Sequence, residues 1–203
     1  MLTVLDVLRG EADALVRALG ELPAGAWEKP TRCTPWAVRD VAGHLVVTMA
    51  RVAGMVAGEA PARADTTAAR YYRADERFGA GTDAERIETA RRRAASASPS
   101  ALIDELSSVI AEGIGACAGQ PAGRVVRTRH GDAMLLGDFL TTRVVELGLH
   151  GLDIADAAGR EPWITAAATD HLVRLLFPDT SPKLALLRLV SGRGAQPRVV
   201  FSA

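Results

Sequence analysis

The chain has four histidines in 203 residues, and three of its side chains stand in a pattern that could hold a metal ion. In RVVELGLHGLDIADAAG, residues 143–159, Glu146, His150 and Asp153 are spaced by four and then three. On a helix such residues lie above one another, so they form a polar stripe about two turns long. Glu-x-x-x-His can present a carboxylate oxygen and an imidazole nitrogen to one ion, although the spacing alone recurs by chance in many helices. His44 lies between Val41 and Thr48 on the inward side of another apolar-spaced segment. A lone inward histidine is ordinarily a satisfied core residue, but from a facing helix it would complete two histidines and one carboxylate. That set suits zinc with an open fourth position, the arrangement of a catalytic site. Iron or nickel would take the same ligands.

Two carboxylates flank these residues. Asp40 precedes His44 by four and Asp153 follows His150 by three, so either could take a hydrogen bond from a ligand imidazole and fix its tautomer. Asp40 has an equal alternative as a favourable charge near a helix N-terminus. Asp153 could instead bond an arginine such as Arg143 or Arg39. His130, in the loop RTRHGDAM, is expected at the surface, with substrate contact as the alternative. His171 has no partner pattern and is read as structural. Cys33 and Cys117 are too few for a disulfide framework and are expected as buried free thiols. A Gly-rich phosphate loop, a Cys-x-x-Cys pair and a nucleophile elbow are all missing, so any nucleophile is expected to come from outside the chain.

The elements that must position these groups read as helical. Leu5, Leu8, Ala12, Leu15 and Leu19 step by three and four, which predicts a first helix over residues 2–19. Thr34 before Pro35 is a start signal for a second, long helix carried by Val38, Val41, Leu45, Thr48, Val52 and Met55 to about Gly58. Residues 59–83 read as a connection with a short helical piece near Tyr71 and Tyr72. Helices are also expected at 84–95 and from Ser98 to Gly119. The segment RVVRTRHGDAMLL alternates around a Gly-Asp pair, as a small hairpin would. A long helix should follow from Leu136 to Ala158, then a shorter one from Thr165 to Phe177. The tail LALLRLVSGRGAQPRVVFSA fits a helix or a strand pair. The expectation is an all-α fold, a helical bundle with one long crossover connection, divided into residues 1–160 and a C-terminal extension, 161–203, packed on it.

Composition excludes some partners. Twenty-four basic residues balance 24 acidic ones, so no net field attracts nucleic acid or an anionic membrane. RRR at 91–93 is the densest basic cluster and reads as a solvated helix face. Apolar runs fall short of the roughly 20 residues a membrane span needs, and acidic residues interrupt the N-terminal apolar pattern where a secretory signal would be basic and then apolar. A cytoplasmic protein without membrane or nucleic-acid partners is expected, and an exposed helical face leaves room for a homodimer.

Two stretches together resemble a known family. TRCTPWAVRDVAGHLV, residues 31–46, resembles the Thr-x-Cys-x-x-Trp-x-x-x-Asp-x-x-x-His signature of the mycothiol-dependent maleylpyruvate isomerases, part of the DinB-like superfamily. RVVELGLHGLDIADAAGRE, residues 143–161, resembles the second signature, Arg-x-x-Glu-x-x-x-His-x-x-Asp. The likeness covers about residues 1–160. It implies a DinB-like four-helix bundle with a divalent metal, typically zinc, on His44, Glu146 and His150. It also implies mycothiol as co-substrate, a metal-bound thiolate adding to an electrophilic small molecule. Trp36 is expected to pack the loop before the second helix. Full-length isomerases carry a separate C-terminal domain that the residues after 160 are too few to supply, so S-transfer or conjugation is expected at least as much as isomerisation. Arg39, Arg143 and the loop around Arg129 are candidates to hold a substrate's anionic groups, with salt bridging as the ordinary alternative. A metal-dependent hydrolase or lyase, or a non-catalytic binding or stress protein on the same fold, remains as an alternative.

Overall fold

The computed structural model describes residues 2–72 and 80–177, together with Leu184 and Ser191. It is mostly helical, with one two-stranded sheet. The helices are α1 (Val4–Gly20), α2 (Val38–Met49), α3 (Arg51–Ala57), α4 (Ala68–Tyr71), α5 (Ala80–Ala95), α6 (Pro99–Cys117), α7 (Leu136–Ala158) and α8 (Ala166–Leu176). The strands β1 (Val125–Arg127) and β2 (Ala133–Leu135) pair antiparallel, Val126 opposite Met134.

Each helix begins and ends for local reasons. Thr3 caps α1, its hydroxyl accepting from Asp6 N–H while the Asp6 carboxylate accepts from Thr3 N–H. Ser98 and Thr165 cap α6 and α8 in the same way. Gly159 ends α7 in the left-handed region at φ 70°, where a side chain would be strained. The second helix departs from expectation at both ends. It starts at Val38 rather than at Pro35, because the Trp36 carbonyl is held by both the N–H and the hydroxyl of Thr31. Asp40, not Thr34, supplies the cap by accepting from Ala37 N–H at 3.0 Å. The apolar run to residue 57 is divided at Ala50 into α2 and α3. By length and composition Val38–Ala57 would suffice to cross a membrane, yet 56% of its 18-residue apolar window is buried within the protein.

α7 is the axis on which the core is built. Phe139, Leu140, Val144, Leu147 and Ile154 are all buried, and α1, α2 and α8 pack around it. α2 also packs on α5 and α6. The close approach of α2 to α5 depends on Gly43: a Cβ there would lie 2.7 Å from the Ala90 carbonyl oxygen and 3.0 Å from the Ala94 nitrogen. On the side of α7 away from His44, Gly148 lets Ile164 and Leu172 approach, and Gly151 makes room for Trp163. The connection after α3 is tied down by Asp65, which exchanges hydrogen bonds with Ala133 of β2, and by Asp138, which accepts from Ala68 N–H. In the RRR cluster, Arg93 is not merely solvated: it pairs with Glu105 and links α5 to α6. Part of the short helical piece expected near Tyr71, and nearly all of the 178–203 tail, lie outside the described residues.

Glu11 of α1 is fully buried, one oxygen accepting from Thr165 N–H at 2.9 Å and the other without a partner among the described residues. Burial raises its pKa above the ordinary 4.5, against the lowering effect of the Thr165 bond. A raised carboxyl pKa means the folded state binds the proton more tightly, so this group erodes stability as pH rises from about 4.5 through the raised value. Glu11→Gln should therefore flatten the loss of stability between pH 4 and pH 7, read from denaturant midpoints across that range. Gly43→Ala should cost about 1–3 kcal/mol in chemical denaturation, because backbone rather than a pliable side chain meets the new methyl group.

Candidate metal centre

α2 and α7 bring three potential ligands together. His44 Nε2 lies 3.0 Å from Glu146 Oε2, and His150 Nε2 lies 3.6 Å from the same oxygen. One donor atom from each of the three lies within 4.8 Å of the others. The imidazole rings of His44 and His150 meet edge to face, 5.0 Å between centroids. Behind His150, Asp153 Oδ2 accepts from its Nδ1 at 3.0 Å and also from the Cys33 thiol at 3.1 Å. With the imidazole proton on Nδ1, the His150 Nε2 lone pair is turned toward the cluster.

Burial and mutual contact set the charges. Desolvation lowers the His44 pKa to about 4, against the raising effect of Glu146, so its ring is neutral at pH 7. For Glu146 burial pushes upward, but the hydrogen bond from His44 and the charges of His44, Arg143 and His150 outweigh it and keep the carboxylate ionised. Asp153 is likewise held below its ordinary value, burial being overcome by the bonds from His150 and Cys33. Neutral His44, in the tautomer with its proton on Nδ1, and ionised Glu146 are in the states that a divalent cation requires of its ligands.

The cluster lines a cavity of about 460 Å³, within the range of small-molecule sites. Trp36 lines it with its ring 4.9 Å from that of His44, and its Nε1 is buried without a partner among the described residues. Tyr71 and Tyr72, packed edge to face at 5.4 Å, form another part of the lining. Tyr72 is fixed there by donating to the Thr142 carbonyl.

The flanking residues divide. Asp40 does not support His44; its carboxylate is taken by the Ala37 N–H, with Arg91 4.0 Å away, which is the helix-terminus alternative. Asp153 bonds neither Arg143 nor Arg39; its arginine is Arg32, at 3.9 Å. Arg39 pairs with Glu28 and donates to the Ala94 carbonyl, and it does not line the cavity. Arg143 does line it, buried, stacked on Phe139 and donating to the Thr142 hydroxyl and the Thr48 carbonyl. His130 lines the opposite rim near Tyr71. His171 meets the Thr141 hydroxyl at 3.0 Å, outside the site.

Sequence reasoning gave Cys33, Thr48 and Arg51 no part in the site, although all three line the cavity. No helical period connects residue 33 to residue 153, so the Cys33–Asp153 bond has no sequence signal beyond the placement of Cys33 in the first signature.

Residues 8–155 match the family model described as the mycothiol maleylpyruvate isomerase N-terminal domain. The chain belongs to that family. Two proteins of Mycobacterium tuberculosis, from strains H37Rv and CDC 1551 and both described as uncharacterized, are 30% identical to it over 152 residues. That alignment takes in 75% of this chain and 55% of theirs, so the chain spans about half the length of these curated relatives. Among solved structures, a mycothiol-dependent maleylpyruvate isomerase and its histidine-to-alanine variant superpose with TM-scores of 0.58 and 0.57. Both are 14% identical to this chain, over 87% of it and 72% of theirs, a likeness of fold.

Cys33 itself is held as a thiol. Burial first, then its bond to Asp153, raises its pKa to about 12, and burial raises that of Cys117 as well. At pH 8 only about one Cys33 in ten thousand is thiolate, so the folded chain should resist iodoacetamide at that pH. Mass spectrometry should find both cysteines modified only after denaturant is added.

Proposed function

We propose that this chain is a metal-dependent thiol transferase or isomerase that uses mycothiol as co-substrate, forming a carbon–sulfur bond between that thiol and an electrophilic small molecule. The observation that carries this reading is the convergence of His44, Glu146 and His150 in the lining of a cavity large enough for a small molecule. Membership of the isomerase family supplies the thiol.

On this reading the Nε2 atoms of His44 and His150 and a carboxylate oxygen of Glu146 hold a divalent metal, zinc by the softness and number of the donors. Bound there, the metal would supply a positive charge that favours thiolate over thiol at neutral pH. Asp153 holds the His150 ring in the tautomer that leaves Nε2 free. Cys33 donates a hydrogen bond to Asp153 and is not the nucleophile, because burial and the adjacent carboxylate keep it protonated. Trp36, Tyr71 and Tyr72 limit water around the cluster. The architecture is read as a DinB-like four-helix bundle of α1, α2–α3, α6 and α7, residues 1–160, with α8 and the following residues as an extension.

Elemental analysis of untagged protein should find about one zinc per chain, and none in Glu146→Ala, with the helical circular dichroism signal retained. Asp153→Asn should weaken metal binding by about 10–100-fold in a chelator competition. Incubation with an electrophile such as an activated alkene should give product only when mycothiol is present. A product formed without thiol would make the chain a hydrolase or lyase, and a metal-free native chain after zinc addition would remove the mechanism.

A further inference from the structure

The helical threonines differ in what their hydroxyls do. In α7, Thr141 donates to the Gly137 carbonyl and Thr142 to the Phe139 carbonyl, and in α8 Thr169 donates to the Thr165 carbonyl. Bonds of this kind to the preceding turn are the ordinary way for a helix to accommodate a hydroxyl. Thr48 of α2 does otherwise. The residue is only 3% exposed, and the one hydrogen-bond partner of its hydroxyl among the described residues is His44 Nε2, at 3.4 Å.

That nitrogen is the one a cation would take. With its proton on Nδ1, His44 carries a lone pair on Nε2, and the Thr48 hydroxyl donates to it. With the lone pair given to a cation, His44 accepts nothing more, and a buried O–H is left in need of another acceptor. The Thr48 backbone is held in place, because Arg143 donates to its carbonyl. Rotation about the C–O bond is enough to turn the hydroxyl proton elsewhere. Thr48 lines the cavity together with His44, Glu146 and His150, so the acceptor offered to it is whatever molecule sits beside those residues.

The lone pairs of that molecule decide whether the O–H is satisfied. A thiolate or another small anion that gives one lone pair to a cation keeps others on the same atom and can accept a charge-assisted hydrogen bond. Imidazole gives the only lone pair of its ligating nitrogen and has none left there. A hydroxyl so placed favours anionic ligands over neutral ones.

We propose that the Thr48 hydroxyl is the hydrogen-bond donor to the anion bound beside His44, Glu146 and His150, and that in the reaction this anion is the thiolate sulfur. The proposal rests on the metal and thiol reading above. It gives Thr48 a binding role that no helical spacing distinguishes from that of a core residue, because Thr48 also continues the apolar period of its helix.

The test is spectroscopic titration of the cobalt-loaded chain, cobalt standing in for spectroscopically silent zinc, with N-acetylcysteine, azide and imidazole. Thr48→Val, which removes the hydroxyl and keeps the shape, should weaken N-acetylcysteine and azide about tenfold and leave imidazole unchanged. Thr48→Ser should recover most of the loss, and both variants should keep their cobalt in a chelator competition. Native-like affinity for both anions in Thr48→Val would overturn the proposal, as would an equal loss of imidazole, which marks a distorted site rather than a missing donor. If N-acetylcysteine gives no sulfur-to-cobalt charge-transfer band while azide binding still depends on the Thr48 hydroxyl, the thiol reading fails and the donor to a bound anion stands. A native chain that takes up no cobalt would remove the metal reading and this proposal together.

Discussion

Five polar groups that water would otherwise solvate are placed in an apolar helical core, and the constraint on everything around them is that they must satisfy one another. His44 and Glu146 meet across α2 and α7 at 3.0 Å, and Asp153 takes hydrogen bonds from both His150 and Cys33. Leaving any one of them without its partner would expose the full desolvation cost of a buried polar or charged group. The pairing therefore demands that two helices 102 residues apart in sequence keep a fixed register. The small residues of the core serve that demand. Gly43 brings α2 against α5, while Gly148 and Gly151 bring Ile164, Leu172 and Trp163 against the far side of α7, so the histidine-bearing faces are left to meet.

Short non-helical segments complete what the helices begin. Between residues 31 and 36 the Thr31 hydroxyl and N–H both bond the Trp36 carbonyl, and Trp36 N–H donates to the Cys33 carbonyl. This compact turn delivers the Cys33 thiol to Asp153 and the Trp36 ring to His44. The β1–β2 hairpin does the same at the other rim, carrying Arg129 and His130 to the cavity while Arg124 anchors it to the carbonyls of Val56 and Gly58. Hydrogen bonds to neighbouring elements lock such loops, so their side chains keep fixed places in the lining.

Electrostatics divides the cavity in the same way. Neutral His44 and ionised Glu146 and Asp153 favour a cation, while Arg51 and Arg129 in the same lining have no hydrogen-bond or ion-pair partner among the described residues. Groups of opposite sign thus share a single cavity of about 460 Å³.

Much of this was legible in the residues. Helical period alone located α1, α6, α7 and α8, because each is amphipathic with a Ser, Thr or Gly at one boundary; the start of α2 was misplaced because a Thr-Pro signal does not reveal that a preceding turn has claimed the Trp36 carbonyl. The stripe of Glu146, His150 and Asp153 follows from a 3.6-residue period, so the sequence by itself determined that these three share a face of α7. Which partners meet that face is a matter of long-range packing. Only the tertiary structure decided that His44 arrives opposite Glu146, that Cys33 donates to Asp153 with Arg32 beside it, that Asp40 caps a helix, and that Arg51 lines a cavity without an ion-pair partner among the described residues. Spacing fixes neighbours within one helix; contacts between distant segments depend on how whole faces fit together, and no local pattern encodes that.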